Sequence, residues 1–471
     1  MLARRITYNT LVSAGARIFG LALSLITIGF ITRYLGQSGF GYYTTVLAFL
    51  FFFTVTADLG LYHICVREIS RQGADEEKIT SNIFSLRFFA GFFIFALAPL
   101  VSLFFPYPAH VKTGILLASF GLWLASSYQV LMGVFQKYLR MDKVALVEIL
   151  GRLIQLGLVI LFIRLEFGFL SIIGALVVVY AFEFLLIFVL VQKHIPVRFG
   201  FDLALWRKLL KKSLPLGLAA IFTMFSFRLD AIMLSLMKPA AHAGIYNLAY
   251  RFLESMIFFP AMFIGLFAPL LAKYAFSDLK KFKKIIQKAM DVLLIFVAPL
   301  LVSTFFLSKN LVILVAGDSF IVSASILNIL IVAVGIKFLE VLFAKVIISL
   351  DKQKWILGIH AAGAVFNLTA NLIFIPKYSY YGAALTTVLT GLLELSLMLA
   401  VLHFGFRVLP SFARSFRYVS AGLVMALVMY FLAGWAWFLA VAVAILVYFM
   451  FLYLIGGFST RDILSLVRKN V

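Results

Sequence analysis

Residues Arg4–Tyr43 read RRITYNTLVSAGARIFGLALSLITIGFITRYLGQSGFGYY, an apolar segment closed by a glycine-rich turn. The part from Ile6 to Thr32 is long enough, at about 1.5 Å per helical residue, to cross the roughly 30 Å hydrocarbon core of a bilayer. Its single charge is Arg17. Polar or small residues recur every three or four positions along one helix face: Asn9, Ser13, Arg17, Gly20, Ser24 and Thr27.

Arg17 is the first candidate for a functional residue. A charge at bilayer depth costs about 2.5–3.5 kcal/mol on insertion scales, so charged side chains in spans normally face a bundle interior or a water-filled cavity. The pattern therefore favours a helix that lines a pathway through the membrane. The alternative is a structural role, in which Arg17 pairs with a carboxylate on another helix.

The composition is that of a polytopic membrane protein. Of the 471 residues, 64% are hydrophobic and 13% are charged, and the mean hydropathy is +1.09, whereas soluble proteins are nearer half apolar. The single cysteine, Cys65, excludes an intrachain disulfide. The six histidines show no ligand spacing, so we expect no metal and no cofactor. The chain has no G-x-x-x-x-G-K-[ST] loop and only short outer loops, so we expect no enzyme.

Hydropathy predicts an all-α fold with about fourteen transmembrane helices. If the N-terminus is cytoplasmic, the inner tails and loops hold 28 Lys and Arg, and the outer loops hold five. The positive-inside rule then places both termini in the cytoplasm and the protein in the cell (inner, cytoplasmic) membrane. The net charge of +22 is explained by contacts with anionic membrane lipids, and we expect no nucleic-acid partner. The first apolar run is too long for a cleavable signal peptide.

Two short matches indicate an internal repeat. Gly41-Tyr42-Tyr43 matches Gly244-Ile245-Tyr246 in the second half of the chain, and Leu139–Lys143 resembles Ile348–Lys352. Each pair falls at the same place in the predicted topology, so the two halves share one orientation. We expect an N-terminal lobe of six spans at 1–195, an interfacial amphipathic linker at 196–212, a C-terminal lobe of six spans at 213–404, and two peripheral spans with a cytoplasmic tail at 405–471.

Several charges within the predicted spans have no obvious partner on their own helix. Arginine offers a fork of donors suited to phosphate and stays protonated, so an arginine in a cavity could hold a pyrophosphate. The acids could pair with these arginines or bind a coupling proton or sodium ion. The charges without a same-helix partner include Arg17, Arg33, Arg87, Asp58, Glu183 and Glu394.

Other polar residues have a simpler interpretation. Asn367 and Asn371 are spaced for hydrogen bonds between helices, which are common in membranes, although they could also recognise a sugar. Helical spacing allows three pairs to neutralise each other locally: Glu148 with Arg152, Arg251 with Glu254, and Lys337 with Glu340.

Three early motifs resemble the opening of the O-antigen and capsular polysaccharide flippase (Wzx-type) family: Arg33–Tyr42, Ala57–Leu61 and Val66–Glu68. Later stretches are similar to further motifs of that family: Asp230, Ala243–Tyr246, Tyr250-Arg251, Asn367–Asn371, Ile375-Pro376 and Gly382–Ala384. The resemblance covers essentially the whole chain. The family is part of the multidrug, oligosaccharidyl-lipid and polysaccharide exporter superfamily.

This resemblance implies two six-helix lobes around a central cavity and transport by alternating access. It also implies a flippase that moves a polyprenyl-pyrophosphate-linked oligosaccharide from the inner to the outer leaflet, together with other polysaccharide-assembly proteins. The alternative is a cation-coupled small-molecule or drug antiporter of the same fold. The candidate substrate-binding residues of a cationic cavity are Arg17, Arg87, Arg33, Arg228, Arg251, Asn9, Asn367 and Asn371. The candidates for ion coupling are Asp58, Asp230, Glu183 and Glu394.

Overall fold

The computed structural model describes residues 2–457, and the side chains of 15–457 except for 215, 216, 218–220, 222–227 and 258. In this range the fold is all-helical, as the sequence predicts, and contains no β-strand. The helices are α1 (Leu2–Asp58), α2 (Leu61–Ile69), α3 (Glu76–Ser102), α4 (Ala109–Lys137), α5 (Met141–Arg164), α6 (Phe169–Gln192), α7 (Leu203–Met237), α8 (Ala240–Tyr274), α9 (Leu279–Ala316), α10 (Val322–Ser349), α11 (Gln353–Ala400), α12 (Ser415–Phe431) and α13 (Trp437–Leu454).

Eleven helical segments of the described chain are long and apolar enough to cross a membrane. Two of the longest are interrupted by a residue with left-handed backbone geometry. In α1 this is Gly36 (φ 66°), within the predicted glycine-rich turn, and in α11 it is Ser379 (φ 53°). The multi-pass membrane architecture is therefore confirmed, while the number fourteen stays a prediction.

The described chain forms two compact units. The first extends to Asn247 and includes Val315–Ser319, and the second comprises Leu248–Leu314 and the residues from Phe320 onward. The first unit has an apolar core shared by α2, α3, α4 and α6. In the second unit α12 and α13 pack with α9 around a separate apolar cluster. The lobe limits expected from the sequence stay a prediction.

The segment before α7 is held to α3 by a series of polar contacts. The backbone N–H groups of Arg198, Gly200 and Asp202 donate to Ser81 Oγ (3.1 Å), Ser85 Oγ (2.8 Å) and Asn82 Oδ1 (2.8 Å). The Lys78 ammonium, 2.9 Å from Asp202, holds the pKa of that carboxyl below its usual value. Asp202 also caps α7 by accepting from the Leu205 N–H.

The predicted interfacial linker at 196–212 leads directly into α7, which continues without interruption from Leu203 to Met237. The physical reason is that neither glycine nor proline separates Leu203 from Ser213, so nothing ends the helix there. The predicted amphipathic stretch forms the first turns of α7. The limits of the linker stay a prediction.

The two glycine-tyrosine motifs of the repeat lie against each other in the first unit. A Cβ added at Gly41 would overlap the carbonyl group of Ala240, and one added at Gly244 would overlap the carbonyl group of Gln37. Both glycines are buried. Small residues of this kind let two membrane helices approach backbone to backbone, which explains why glycine occupies both positions.

The backbone turns before α5 and α11 align the two halves of the repeat differently from the sequence match. Leu139 (φ 55°) and Asp351 (φ 56°) are both left-handed, and they precede α5 and α11 by the same two residues. The turns thus pair Leu139 with Asp351, whereas the sequence match pairs Leu139 with Ile348. The sequence match is out of register. It aligned the Asp-Lys pair that both stretches contain, whereas the equivalent turns can be recognised only from the backbone geometry.

Candidate functional site

Arg87 of α3 is completely buried and joins three helices. Its guanidinium forms an ion pair with Asp58, the last residue of α1, and its Nε donates to the carbonyl (3.1 Å) and the Oγ (2.9 Å) of Ser126 in α4. Burying a guanidinium is costly unless a carboxylate and hydrogen bonds compensate it. The structure thus brings together two residues that the sequence analysis assigned to different roles, and those binding and coupling roles stay predictions.

Glu183 of α6 lies in a seat formed by α4 and α5. It is 7% exposed, and its Oε2 accepts a hydrogen bond of 2.7 Å from the Tyr128 hydroxyl. A Cβ on Gly151 would overlap the Glu183 carboxylate, so only glycine leaves room for it. The carboxylate also interacts electrostatically with Glu148 and Arg152. Glu183 is therefore fixed in place by its neighbours.

Arg17 belongs to the same group of charges. The Glu148 carboxylate interacts electrostatically with Arg152 on its own helix and with Arg17 on α1. Arg152 packs over Gly20, with its Nε 3.0 Å from where a Cβ would stand. We call this group the Glu183 cluster; its members are Arg17, Tyr128, Glu148, Arg152 and Glu183.

The Glu183 cluster has an open side. Arg17 and Glu148 are exposed, whereas Glu183 is buried. Glu148 lies seven residues into α5, about 10 Å along the helix from its start. Charged side chains in membrane spans normally face a bundle interior or a water-filled cavity, so the exposed side of the cluster is a candidate for contact with water or a polar substrate.

A second charged group lies in the second unit, between α10 and the two halves of α11. The Lys337 ammonium pairs with Glu340 on its own helix and lies 3.3 Å from Glu394 Oε2, and His360 Nδ1 lies 3.2 Å from Glu394 Oε1. Glu394 is completely buried, and the Glu340 side chain is 4% exposed. We call these four residues the Glu394 cluster. Two carboxyl groups here share one ammonium group.

In both clusters a glutamate carboxylate packs directly against a glycine of a neighbouring helical segment. We call this arrangement the glutamate seat. A Cβ on Gly363 would overlap the Glu394 carboxylate, as one on Gly151 would overlap Glu183. In the register that pairs Leu139 with Asp351, Gly151 corresponds to Gly363 and Glu148 to His360. Glu394 lies one position before the residue that this register pairs with Glu183. The repeat thus places a buried carboxylate at nearly the same point of each half and gives the two carboxylates different charged neighbours.

The asparagines of α11 form a buried hydrogen-bonded chain. Asn371 donates to Asn367 Oδ1 (2.9 Å), and Asn367 donates to Thr390 Oγ1 (3.2 Å) on the second half of α11. Both are at most 1% exposed. The Asn367–Thr390 bond joins the two halves of α11, as expected of interhelical bonding, whereas the Asn371–Asn367 bond lies within one helical segment. A role in sugar recognition stays a prediction.

The remaining candidates are dispersed. Asp230 is buried and accepts hydrogen bonds from Tyr246 and from the Ala231 N–H. Arg251 pairs locally with Glu254 at 3.3 Å. Two further candidates lie outside both clusters: Arg33 lies near the Gly317 turn, and Arg228 lies over the Phe51 ring. The Asn9 side chain is outside the described residues.

Sequence reasoning missed several members of the two clusters. Tyr128 and His360 were not singled out, and Lys337 and Glu340 were interpreted only as a local pair. A signal was available, because Glu148 and Gly151 have the same spacing as His360 and Gly363 in the second half. An alignment of the two halves in this register would have found both seats. Among the described side chains, no group of three metal-ligating residues is placed to hold an ion.

Comparisons with known proteins agree with this architecture. A curated relative, the probable low-salt glycan biosynthesis flippase Agl15 of Haloferax volcanii, is 23% identical over 388 residues, which is 80% of this chain and 79% of the relative. Among solved structures, the lipid II flippase MurJ in an inward closed conformation has a TM-score of 0.74 at 17% identity and covers 97% of this chain and 100% of its own.

Transporters of related fold are also similar. A multidrug resistance MATE transporter of the MOP superfamily, inward-facing, has a TM-score of 0.69 at 12% identity over 85% of this chain and 98% of its own. At these identities the likeness concerns the fold. The model of a family described as polysaccharide biosynthesis protein matches residues 6–275, more than half of the sequence. The chain belongs to this polysaccharide biosynthesis protein family.

Proposed function

We propose that the protein is a flippase that moves a polyprenyl-pyrophosphate-linked oligosaccharide from the inner to the outer leaflet by alternating access. The family match, the glycan flippase relative and the fold shared with a lipid II flippase support this proposal. We further propose that the protein lies in the cell (inner) membrane with both termini in the cytoplasm, as the distribution of Lys and Arg predicts. Other polysaccharide-assembly proteins are its proposed partners.

The observation that carries the proposal is the open side of the Glu183 cluster. Arg17 is exposed within the first membrane span and interacts with the Glu148 carboxylate. Arg152 interacts with the same Glu148 carboxylate. Two guanidinium groups at bilayer depth suit an anionic pyrophosphate, which accepts several charge-assisted hydrogen bonds. We propose that the headgroup, when it binds, competes with the Glu148 carboxylate for these two arginines.

The membrane potential favours transport in this direction. With the cell interior negative, outward movement of an anion gains about 2.3 kcal/mol per charge for each 100 mV. A pyrophosphate substrate that crosses without its counterions therefore needs no coupled ion. Transport should become faster when an inside-negative potential is imposed.

A second candidate function is a cation-coupled antiporter. The Glu394 cluster favours it, because two buried carboxyl groups share one ammonium and so could accept a proton or a cation. In that case Glu394 and Glu183 would bind the coupling ion. The solved MATE transporters share the fold but do not by themselves identify a substrate.

Transport by purified protein in liposomes separates the two candidates. We expect the protein to accelerate movement of a polyprenyl-pyrophosphate-linked oligosaccharide between leaflets at least ten-fold over protein-free liposomes, and an inside-negative potential to increase the outward rate. The same liposomes should not exchange an organic cation for protons. Exchange of the cation without movement of the lipid would contradict the flippase assignment and support the antiporter.

A further inference from the structure

A crevice of about 1040 Å³ lies in the second unit, where the start of α11 meets the end of its second half. Its volume slightly exceeds the roughly 300–1,000 Å³ that is typical of small-molecule sites. The walls are mainly apolar and aromatic, and two lysines are among the lining residues. The residues that matter for the argument are Lys352, Lys354, Trp355, Gly358, Phe404 and Phe406.

A π-helix forms one wall of the crevice. Residues Val401–Phe406 adopt this rare form after α11, and Arg407 ends it with a left-handed backbone (φ 53°). Single π turns are uncommon and are often found at functional sites. The Phe404 ring is 81% exposed, and the Lys352 ammonium lies 6.0 Å from the centre of the Phe406 ring.

The crevice is unfilled by protein. A Cβ at Gly358 or at Gly405 would meet no atom within 4 Å. Trp355 is 56% exposed beside it. Aromatic side chains next to lysines at the end of a span mark the membrane–water interface, and the predicted orientation places this end of α11 in the inner leaflet.

The charge of the lining residues indicates what occupies the crevice. Lys352 and Lys354 are both exposed and two residues apart. Two ammonium groups beside an apolar crevice match a lipid that joins a diphosphate to a long hydrocarbon chain.

We propose that this crevice is a loading site, which holds the diphosphate and the first isoprene units of a polyprenyl lipid in the inner leaflet before transport. The inference rests on the proposed flippase function and extends it, because it adds a second contact with the substrate, outside the Glu183 cluster. The lysines contact the diphosphate, and the apolar walls contact the chain.

A photoreactive polyprenyl diphosphate without sugars tests the proposal in full-length protein. We expect the probe to label residues 352–358 or 401–406, and unlabelled polyprenyl diphosphate to compete at least ten-fold better than phosphatidylglycerol. Gly358→Phe should reduce labelling at least five-fold, because Gly358 lines the crevice and an added Cβ there meets no atom within 4 Å, which leaves the larger side chain room to occupy it. Lys352→Ala with Lys354→Ala should reduce it similarly.

Gly157→Phe is the matched control, since a Cβ at this exposed helical glycine also meets no atom within 4 Å. It should label like the unchanged protein. Equal competition by phosphatidylglycerol, or labelling that Gly358→Phe leaves unchanged, would overturn the loading site. If transport of the lipid-linked oligosaccharide persists in that case, the proposed function stands without it. If labelling occurs but the protein moves no lipid, the flippase function fails instead.

Discussion

Arg87→Met should destabilise the protein by about 3 kcal/mol, because it leaves Asp58 without its guanidinium partner. Removing one member of a buried ion pair typically costs about 3–5 kcal/mol. We expect the lower end of that range, since the Asp58 side chain is 29% exposed and keeps some contact with solvent. Methionine fills most of the volume of arginine, so a cavity adds little. Equilibrium unfolding in mixed micelles with increasing SDS measures the change.

The double variant Arg87→Met with Asp58→Asn distinguishes a structural role from a binding role. The asparagine removes the unpaired charge, so the double variant should regain at least half of the lost stability. Asp58→Asn alone serves as the matched control for the cycle. If Arg87→Met folds as stably as the unchanged protein but does not transport, the account of Arg87 as a clamp between α1, α3 and α4 is wrong.

Gly41→Ala and Gly244→Ala should each prevent normal folding or cost more than about 3 kcal/mol, the upper end of the usual range for overpacking. The added Cβ at either position would overlap a backbone carbonyl group, that of Ala240 or that of Gln37. Overpacking against movable side chains typically costs about 1–3 kcal/mol, and a backbone carbonyl cannot move aside by changing rotamer. The yield of monodisperse protein and its SDS unfolding midpoint measure the effect.

Gly174→Ala is the control for both variants. Gly174 lies in α6, and a Cβ there would meet no atom within 4 Å. Its substitution should be neutral or stabilise the protein by up to about 1 kcal/mol, because alanine favours the helix. Wild-type stability of Gly41→Ala would show that the two motifs do not pack as closely as described.

The sequence predicts the architecture well because each membrane span requires a long run of apolar residues. The helical class and the turn near Gly36 follow from hydropathy and from glycine positions. The local pairing of Lys337 with Glu340 and of Arg251 with Glu254 follows from helical spacing. These features depend on residues close together in the chain.

The composition of the two clusters could not be predicted in the same way. Arg87 pairs with a residue 29 positions away, and Tyr128 donates to one 55 positions away. Which helices meet, and at which height, depends on packing that a single sequence does not display. The pairing of Leu139 with Ile348 instead of Asp351 had a different cause, because the left-handed turns that set the register are not visible in the sequence. With Leu139 paired to Ile348, Gly151 is not aligned with Gly363. The repeated glutamate seat was therefore not recognised in the sequence.

We propose that Arg17 helps to hold a pyrophosphate headgroup within the membrane. Its side chain is exposed and Glu148 keeps Arg152 as a partner on its own helix, so the loss of Arg17 should change stability little. Arg17→Lys keeps the charge but loses the fork of donors, and we expect it to transport more slowly than the unchanged protein but faster than Arg17→Ala. This order separates a headgroup contact from a purely structural ion pair with Glu148.

The most direct measurement is the initial rate at which liposomes with purified Arg17→Ala protein move a polyprenyl-pyrophosphate-linked oligosaccharide. The unchanged protein is measured alongside, and the SDS unfolding midpoint of both is determined. We predict at least a ten-fold lower rate for Arg17→Ala with an unchanged midpoint. A well-folded Arg17→Ala protein that transports at the rate of the unchanged protein would contradict the account.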